Sequence, residues 1–248
     1  MTPGYHDPVA SRPDRRRQSG KRMPHPDPPD LPVAPLEAVG PGEHDLTDEA
    51  VYELLAFADV DWSGRDANGA EIDTCTFESV DLSRSRLRRA LIRDVRFERC
   101  DLANLRVHDS SLTRVAITAS RMTGQSWLDD HLREVSIDGC RMDLSSFRAS
   151  TFDNVVFSDC RLGQADFVDA DLRGARFEGC DLSGAQFSGA RMTGTRFARC
   201  DLTGIAGVTS MRGAFITSTD AVALAAILAG ALGITIEDDQ PSTTSADH

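Results

Sequence analysis

The chain has 248 residues, a net charge of −12 from 39 acidic against 27 basic side chains, and an apolar share of 40%. That composition excludes a wholly disordered chain and a basic nucleic-acid binder. The longest apolar run, Ala221 to Ile234, is 14 residues, short of the roughly 18–20 that span a bilayer. Lys21 is the sole lysine beside 26 arginines, which suggests a GC-rich bacterial source.

Residues 1–42 hold 10 of the 11 prolines and read as a disordered leader. Arg15-Arg16-Arg17 is followed by Met23-Pro24-His25-Pro26 with no apolar stretch, so no secretion signal is expected and a cytoplasmic location with reduced thiols is. Residues 43–69 carry eight acids and one base. Here Thr47, followed by Asp48 and Glu49, predicts the start of a helix over about 47–58, with Leu46 and Val51 as its staple. Its stripe of Val51, Leu54, Leu55 and Ala58 would cap the domain C-terminal to it.

From Ile72 to Leu202 every fifth residue is large and apolar, 27 positions without an insertion, and nine of the 11 phenylalanines lie on this series. Two residues before each runs a second series, from Ala70 to Cys200, in which 24 of 27 residues are Ala, Cys, Ser, Thr or Val. Period five fits neither helix nor plain strand. It fits a coil of flat five-residue faces, with both series pointing inward. Arg96-Phe97-Glu98-Arg99-Cys100-Asp101-Leu102 returns as Arg176-Phe177-Glu178-Gly179-Cys180-Asp181-Leu182, so four faces and 20 residues make one rung. The 27 pentapeptides then predict about 6.75 rungs. With 21 acids and 19 bases, residues 70–208 are nearly neutral.

Copies such as Ala170-Asp171-Leu172-Arg173-Gly174 and Cys180-Asp181-Leu182-Ser183-Gly184 resemble the pentapeptide-repeat family, over residues 70–207. The resemblance implies an all-β solenoid, a right-handed quadrilateral parallel β-helix, here with helical caps at both ends. A flat-faced rod packed solid inside offers little concave pocket, so a binding protein rather than an enzyme is expected. Some relatives protect DNA gyrase by imitating duplex DNA, and several dimerise through their C-terminal ends.

After the repeats, Thr217-Ser218-Thr219-Asp220 predicts the cap of a helix over Ala221 to Leu232, with Gly233 as its stop and a short strand in the same 208–236 segment. The helix is apolar on nearly every side, so one side is expected on the last rung and another on a second subunit, the alternative being a monomer whose tail folds back over it. Leu224, Ile227, Leu228 and Leu232 are the candidate dimer contacts. Residues 237–248 read as a disordered acidic tail.

The six cysteines all fall in the small inward series, which predicts core packing rather than a metal ladder or disulfides. No catalytic, cofactor or metal constellation stands out. Cofactors, membrane and direct nucleic-acid contact are therefore not expected. Gln125 and Asp130 break the small series, and Ser110 and Ser150 stand one rung to either side of Asp130, where their hydroxyls would satisfy it. This interruption is either a polar bridge or a distortion that shapes a partner site, which makes Asp129 and His131 candidates. One outward column reads Asp81, Asp101, Arg121, Arg141, Arg161, Asp181, Asp201, which is either a solvated face with mutual screening or, through its three arginines, a site for a row of carboxylates or phosphates. The sequence thus reads as a scaffold binding a protein partner through a flat charged face, with a gyrase-binding DNA mimic conferring quinolone or toxin resistance as the alternative.

Overall fold

A five-residue apolar period buries both of its series only if the chain turns a corner every five residues and stacks each circuit on the last. The computed structural model, which describes residues 24–236, does this. Strands pair in parallel at a register of 20, as in Phe77 with Phe97 and Arg86 with Arg106. Each rung is bonded on both sides: Leu82 N donates to Asp101 O at 2.8 Å, and Asp81 N donates to Val60 O at 2.9 Å. The result is a right-handed quadrilateral β-helix of about nine turns, roughly 43 Å long at 4.8 Å per rung.

The four faces follow one another in the chain. The first carries the column Trp62, Leu82, Leu102, Met122, Met142, Leu162, Leu182, Leu202, and the second runs from Ala67 through Trp127 to Phe187. The third runs from Tyr52 to Met192, and the fourth from Phe57 to Phe197. Towards the C-terminus phenylalanines fill the interior. Phe147, Phe167 and Phe187 stack at 5.0 and 5.3 Å, and Phe157, Phe177 and Phe197 at 4.9 and 5.1 Å, all within 6° of parallel. Towards the N-terminus smaller side chains leave an apolar void of about 20 Å³ between Leu87, Leu105, Val107, Leu112 and Trp127.

Corners hold a residue in the left-handed region. In the corner after the second face these are Arg89, Asp109, Asp129 and Ala149, at φ between 51° and 57°. Such residues cost roughly 1–2 kcal/mol each, a strain that hydrogen bonds to both neighbouring rungs hold in place. At Gly207 the requirement is absolute. Its φ is 76°, and a Cβ there would sit 2.3 Å from Ser188 N.

The N-terminal segment departs from expectation. Residues 47–58 form no helix: Val51–Glu53 is a strand paired with Glu71–Asp73, and Leu55–Ala58 pairs with Thr76–Glu78. Tyr52, Phe57, Trp62 and Ala67 extend the every-fifth series backwards and are all at most 2% exposed. As rungs they stack aromatic rings on the repeat, Phe57 lying 4.8 Å from Phe77. A helix would have buried only a local stripe, two of whose members, Val51 and Leu54, are instead 63% and 48% exposed. These added rungs account for the excess over 6.75.

The leader is likewise ordered from residue 24 onward. Glu37–Val39 forms a further rung on Leu55–Phe57, Pro26 and Pro29 are buried, and the segment lies along the corner after the third face. There Asp27 N donates to Glu134 Oε2 and Asp30 N to Asp94 Oδ1, both at 2.8 Å. Leu46 is buried at the first rung, beside His44, whose carbonyl accepts from Trp62 Nε1 at 3.0 Å. The rest of the leader and the tail lie outside the described residues.

At the other end, Val208–Met211 forms a 3-10 turn and Phe215–Ile216 adds a strand to Arg196–Ala198. The hydroxyl of Thr217 accepts from Asp220 N at 3.4 Å and caps helix α1 (Ser218–Ala231), one turn ahead of the expected start. Among the described residues no helix is long and apolar enough to cross a membrane.

Candidate functional site

The aspartate of each Asp-Leu pair on the first face has a local duty. Oδ1 of Asp81, Asp101, Asp181 and Asp201 accepts the amide two residues on, at 2.8–2.9 Å, and closes the turn. Arg121, Arg141 and Arg161 occupy the same column in the middle of the rod, bridged strand to strand from Asp101 through to Asp181. A guanidinium has no acceptor, so three consecutive turns lack this bond. The local rule is broken where three positive charges are displayed instead.

All three arginines are exposed. Arg121 reaches back to Asp101 at 2.9 Å. Arg141 and Arg161 have no carboxylate within 4 Å among the described residues, whereas Arg86, Arg93, Arg114, Arg148, Arg173 and Arg191 all do. Beside the column lies an open hollow of about 420 Å³, edged by Ser120, Gly139, Cys140 and Asp159. Rung spacing places the three guanidinium stems about 4.8 Å apart, a pitch that suits successive carboxylates along an extended acidic segment.

Asp129 and His131 do not join this site. Asp129 occupies the corner after the second face, diagonally opposite the arginine column, and His131 opens the strand His131–Asp138 on the third face, between Ser111 and Thr151. Asp129 instead meets His108 and Asp109 of the previous rung. One ligand-type atom from each of the three lies within 4.8 Å of the others. Sequence inspection missed this meeting, although the signal exists: Asp129 follows Asp109 by one 20-residue rung.

The interruption is a buried polar island. Gln125 and Asp130 are both wholly buried, and neither side-chain atom of Gln125, nor Trp127 Nε1, nor Asp130 Oδ2 has a hydrogen-bond partner. The flanking hydroxyls do not serve Asp130 as expected. Asp130 Oδ1 accepts the backbone amide of Ser110 at 2.7 Å, while Ser150 Oγ accepts Asp130 N at 3.1 Å and donates to Trp127 O. Burial pushes the carboxyl up to about 7, against the lowering effect of the Ser110 amide and His108.

The cysteines are free and buried, with Sγ turned to backbone carbonyls; Cys160 lies 3.5 Å from Ile137 O and 3.2 Å from Ser158 O. Burial pushes Cys75 and Cys100 up to about 11, which opposes the thiolate form that metals and disulfide exchange require. Of the expected dimer contacts, Leu224 is 1% exposed and Ile227 half-buried against the coil's end, so these two close the last rung. Leu228 and Leu232 are 39% and 77% exposed.

A four-sided parallel coil with an apolar residue at every fifth position and a small one two places before it defines a class of β-solenoid rods. Residues 70–144 and 130–206 match the pattern described as a pentapeptide repeat region, more than half of the chain. The chain belongs to the pentapeptide-repeat family. Among solved structures it is similar to QnrB1, a plasmid-mediated fluoroquinolone resistance protein, at 24% identity over 82% of this chain and 98% of that one, with a TM-score of 0.34. It is similar also to HetL, involved in heterocyst differentiation regulation in the cyanobacterium Nostoc, at 17% identity over 68% and 89%, with a TM-score of 0.42. Rfr23 from the cyanobacterium Cyanothece matches at 12% identity over 58% and 89%, with a TM-score of 0.23. No curated protein sequence matches the chain.

Proposed function

We propose that the protein is a non-enzymatic, cytoplasmic interaction scaffold whose first face grips an acidic segment of a partner protein through Arg121, Arg141 and Arg161. The observation that carries this reading is the loss of three consecutive turn-closing aspartates in favour of arginines, two of them with no carboxylate within 4 Å among the described residues. An Asx-type bond contributes about 1 kcal/mol; of the three positions that forgo it, Arg121 recovers a cross-rung ion pair with Asp101.

The alternative is a gyrase-binding imitation of duplex DNA. Face-resolved charge speaks against it. One column of the fourth face, Glu78, Glu98, Thr118, Asp138, Ser158 and Glu178, is acidic or neutral, but Arg96, Arg176 and Arg196 run beside it. The second face displays Arg86, Arg88, Arg106 and Arg148. Duplex DNA carries one negative charge per roughly 1.7 Å, and no face of this rod approaches that.

The reading includes a homodimer through the C-terminal end, where Val222, Leu228 and Leu232 leave an apolar surface on α1 exposed. Light scattering should give twice the chain mass, and Leu228→Glu with Leu232→Glu should give the monomer. The partner is sought by capture from bacterial lysate, identified, purified and titrated against wild type and Arg141→Glu/Arg161→Glu. About a tenfold or greater loss of affinity in the variant, steepened at low salt, is expected. Equal affinity rejects the arginine face. Inhibition of purified gyrase supercoiling at micromolar levels or below, or its rescue from a fluoroquinolone, would put the DNA-mimic reading in front.

A further inference from the structure

The corner after the second face brings together groups that neither the core nor the arginine column uses. His108 ends the strand Arg106–His108, Asp109 turns the corner in the left-handed region, and Asp129 turns the same corner one rung later. His108 Nδ1 lies 3.0 Å from Leu128 O. A carbonyl only accepts, so Nδ1 carries the ring proton and Nε2 of the neutral ring presents its lone pair. That lone pair faces Asp109 Oδ2 at 3.4 Å, and an oxygen of Asp129 completes a triangle within 4.8 Å.

Three acceptors therefore converge with no donor between them. Several carboxylates on the rod are matched by an arginine one rung away, as Asp66 is by Arg86, Asp73 by Arg93, Asp94 by Arg114 and Asp101 by Arg121. Neither Asp109 nor Asp129 has an arginine within 4 Å among the described residues, although Arg89 stands in the same corner column. Beside the triangle opens a hollow of about 260 Å³ lined by Asn68, Arg88 and Arg89 as well as by His108 and Asp109.

We propose that His108, Asp109 and Asp129 form a surface site for a divalent transition-metal ion of zinc type. Zinc that keeps an open coordination position takes three protein ligands, and imidazole and carboxylate are both ligand types it accepts. The bond from Nδ1 to Leu128 O is the outer-sphere contact that fixes ring orientation and raises the basicity of Nε2. The triangle is slightly wider than a closed coordination sphere, and the two exposed aspartates can close it by rotating side chains alone. The open position faces the hollow, where Arg88 and Arg89 would accept an anionic group bridging to the metal. The site is independent of the arginine column, which lies at the diagonal corner.

The test is calorimetric titration of the full chain, freed of metal by chelator, with zinc chloride near neutral pH. One ion per chain is expected, with affinity falling by about tenfold or more in both His108→Ala and Asp129→Asn and unchanged in His131→Ala. Affinity should also drop in acid, because the metal competes with a proton for Nε2. Circular dichroism establishes that the exposed substitutions leave the fold intact. Absence of saturable binding would overturn the proposal, and so would binding that both variants retain, which would place the ion elsewhere on the chain.

Discussion

Replacing Asp130 by serine should stabilise this protein, and by more at alkaline than at acid pH. The inward small position has its own hydrogen-bond rule, visible in the serines that occupy it. Ser85 Oγ accepts Arg65 N at 3.0 Å and donates to Trp62 O at 2.6 Å, and Ser150 Oγ does the same with Asp130 N and Trp127 O, each at 3.1 Å. Asp130 meets half of this rule, accepting Ser110 N, but as a carboxylate it has nothing to donate and leaves Oδ2 buried without a partner. Protonation would supply the missing hydroxyl, which agrees with a carboxyl pushed up to about 7 by burial.

The sign is set by linkage. Between the ordinary carboxylate range and about 7 the folded state holds a proton that the unfolded chain has released, so stability falls as pH rises through that window. A rise of about three units corresponds to a penalty on the order of 4 kcal/mol once the pH exceeds the folded value. Urea unfolding in EDTA, at about pH 5 and about pH 8, measures it. At the lower pH only about one unit of that window has been crossed, so Asp130→Ser should gain on the order of 1 kcal/mol there, and clearly more at the higher. A destabilised variant, or a gain independent of pH, would refute the account of the polar island.

Phe157→Ala should cost about 3–5 kcal/mol, because the ring is wholly buried and stacks on Phe177 at 4.9 Å; a loss below about 1 kcal/mol in denaturant unfolding would argue against inward stacking. In Cys160→Ser the new hydroxyl meets the carbonyls of Ile137 and Ser158, which already face the sulfur. The variant should therefore stay within about 1 kcal/mol of wild type, and a larger loss would mean the hydroxyl fails to reach them. Two glycines separate strain from collision. Gly64→Ala meets nothing within 4 Å and should cost only the left-handed conformation, about 1–2 kcal/mol. Gly207→Ala drives Cβ into the backbone of Phe187 and Ser188, so its melting temperature should fall well below that of Gly64→Ala. Equal melting temperatures would contradict the close approach.

The period of five, its 20-residue superperiod and the small series between them were legible in the sequence because a coil repeats one local environment in every rung. Whatever fills that environment must recur at the same spacing, so Phe157, Leu162 and Cys160 announce their burial without coordinates. The first two rungs escaped this reading. Arg65 stands in the small series and Ala67 in the large one, while Thr47-Asp48-Glu49 imitates a helix start. Only pairing with Glu71–Asp73 and Thr76–Glu78 decided for strand.

Local pattern also cannot tell which outward groups meet. Arg121, Arg141 and Arg161 form a column because the register is 20, which the sequence determined by itself. Whether each finds a carboxylate depends on side chains projecting from neighbouring rungs, and that left Arg121 paired and Arg141 and Arg161 without one within 4 Å among the described residues. His108 and Asp129 are 21 residues apart and meet only because the chain turns a left-handed corner beside each. The leader's place was decided furthest from its own sequence. Its prolines gave no period to read, and carboxylates on Asp94 and Glu134, supplied by rungs far along the chain, hold its amides. Repetition writes the rod into the sequence; contacts between unlike segments, which nothing repeats, are settled by the fold.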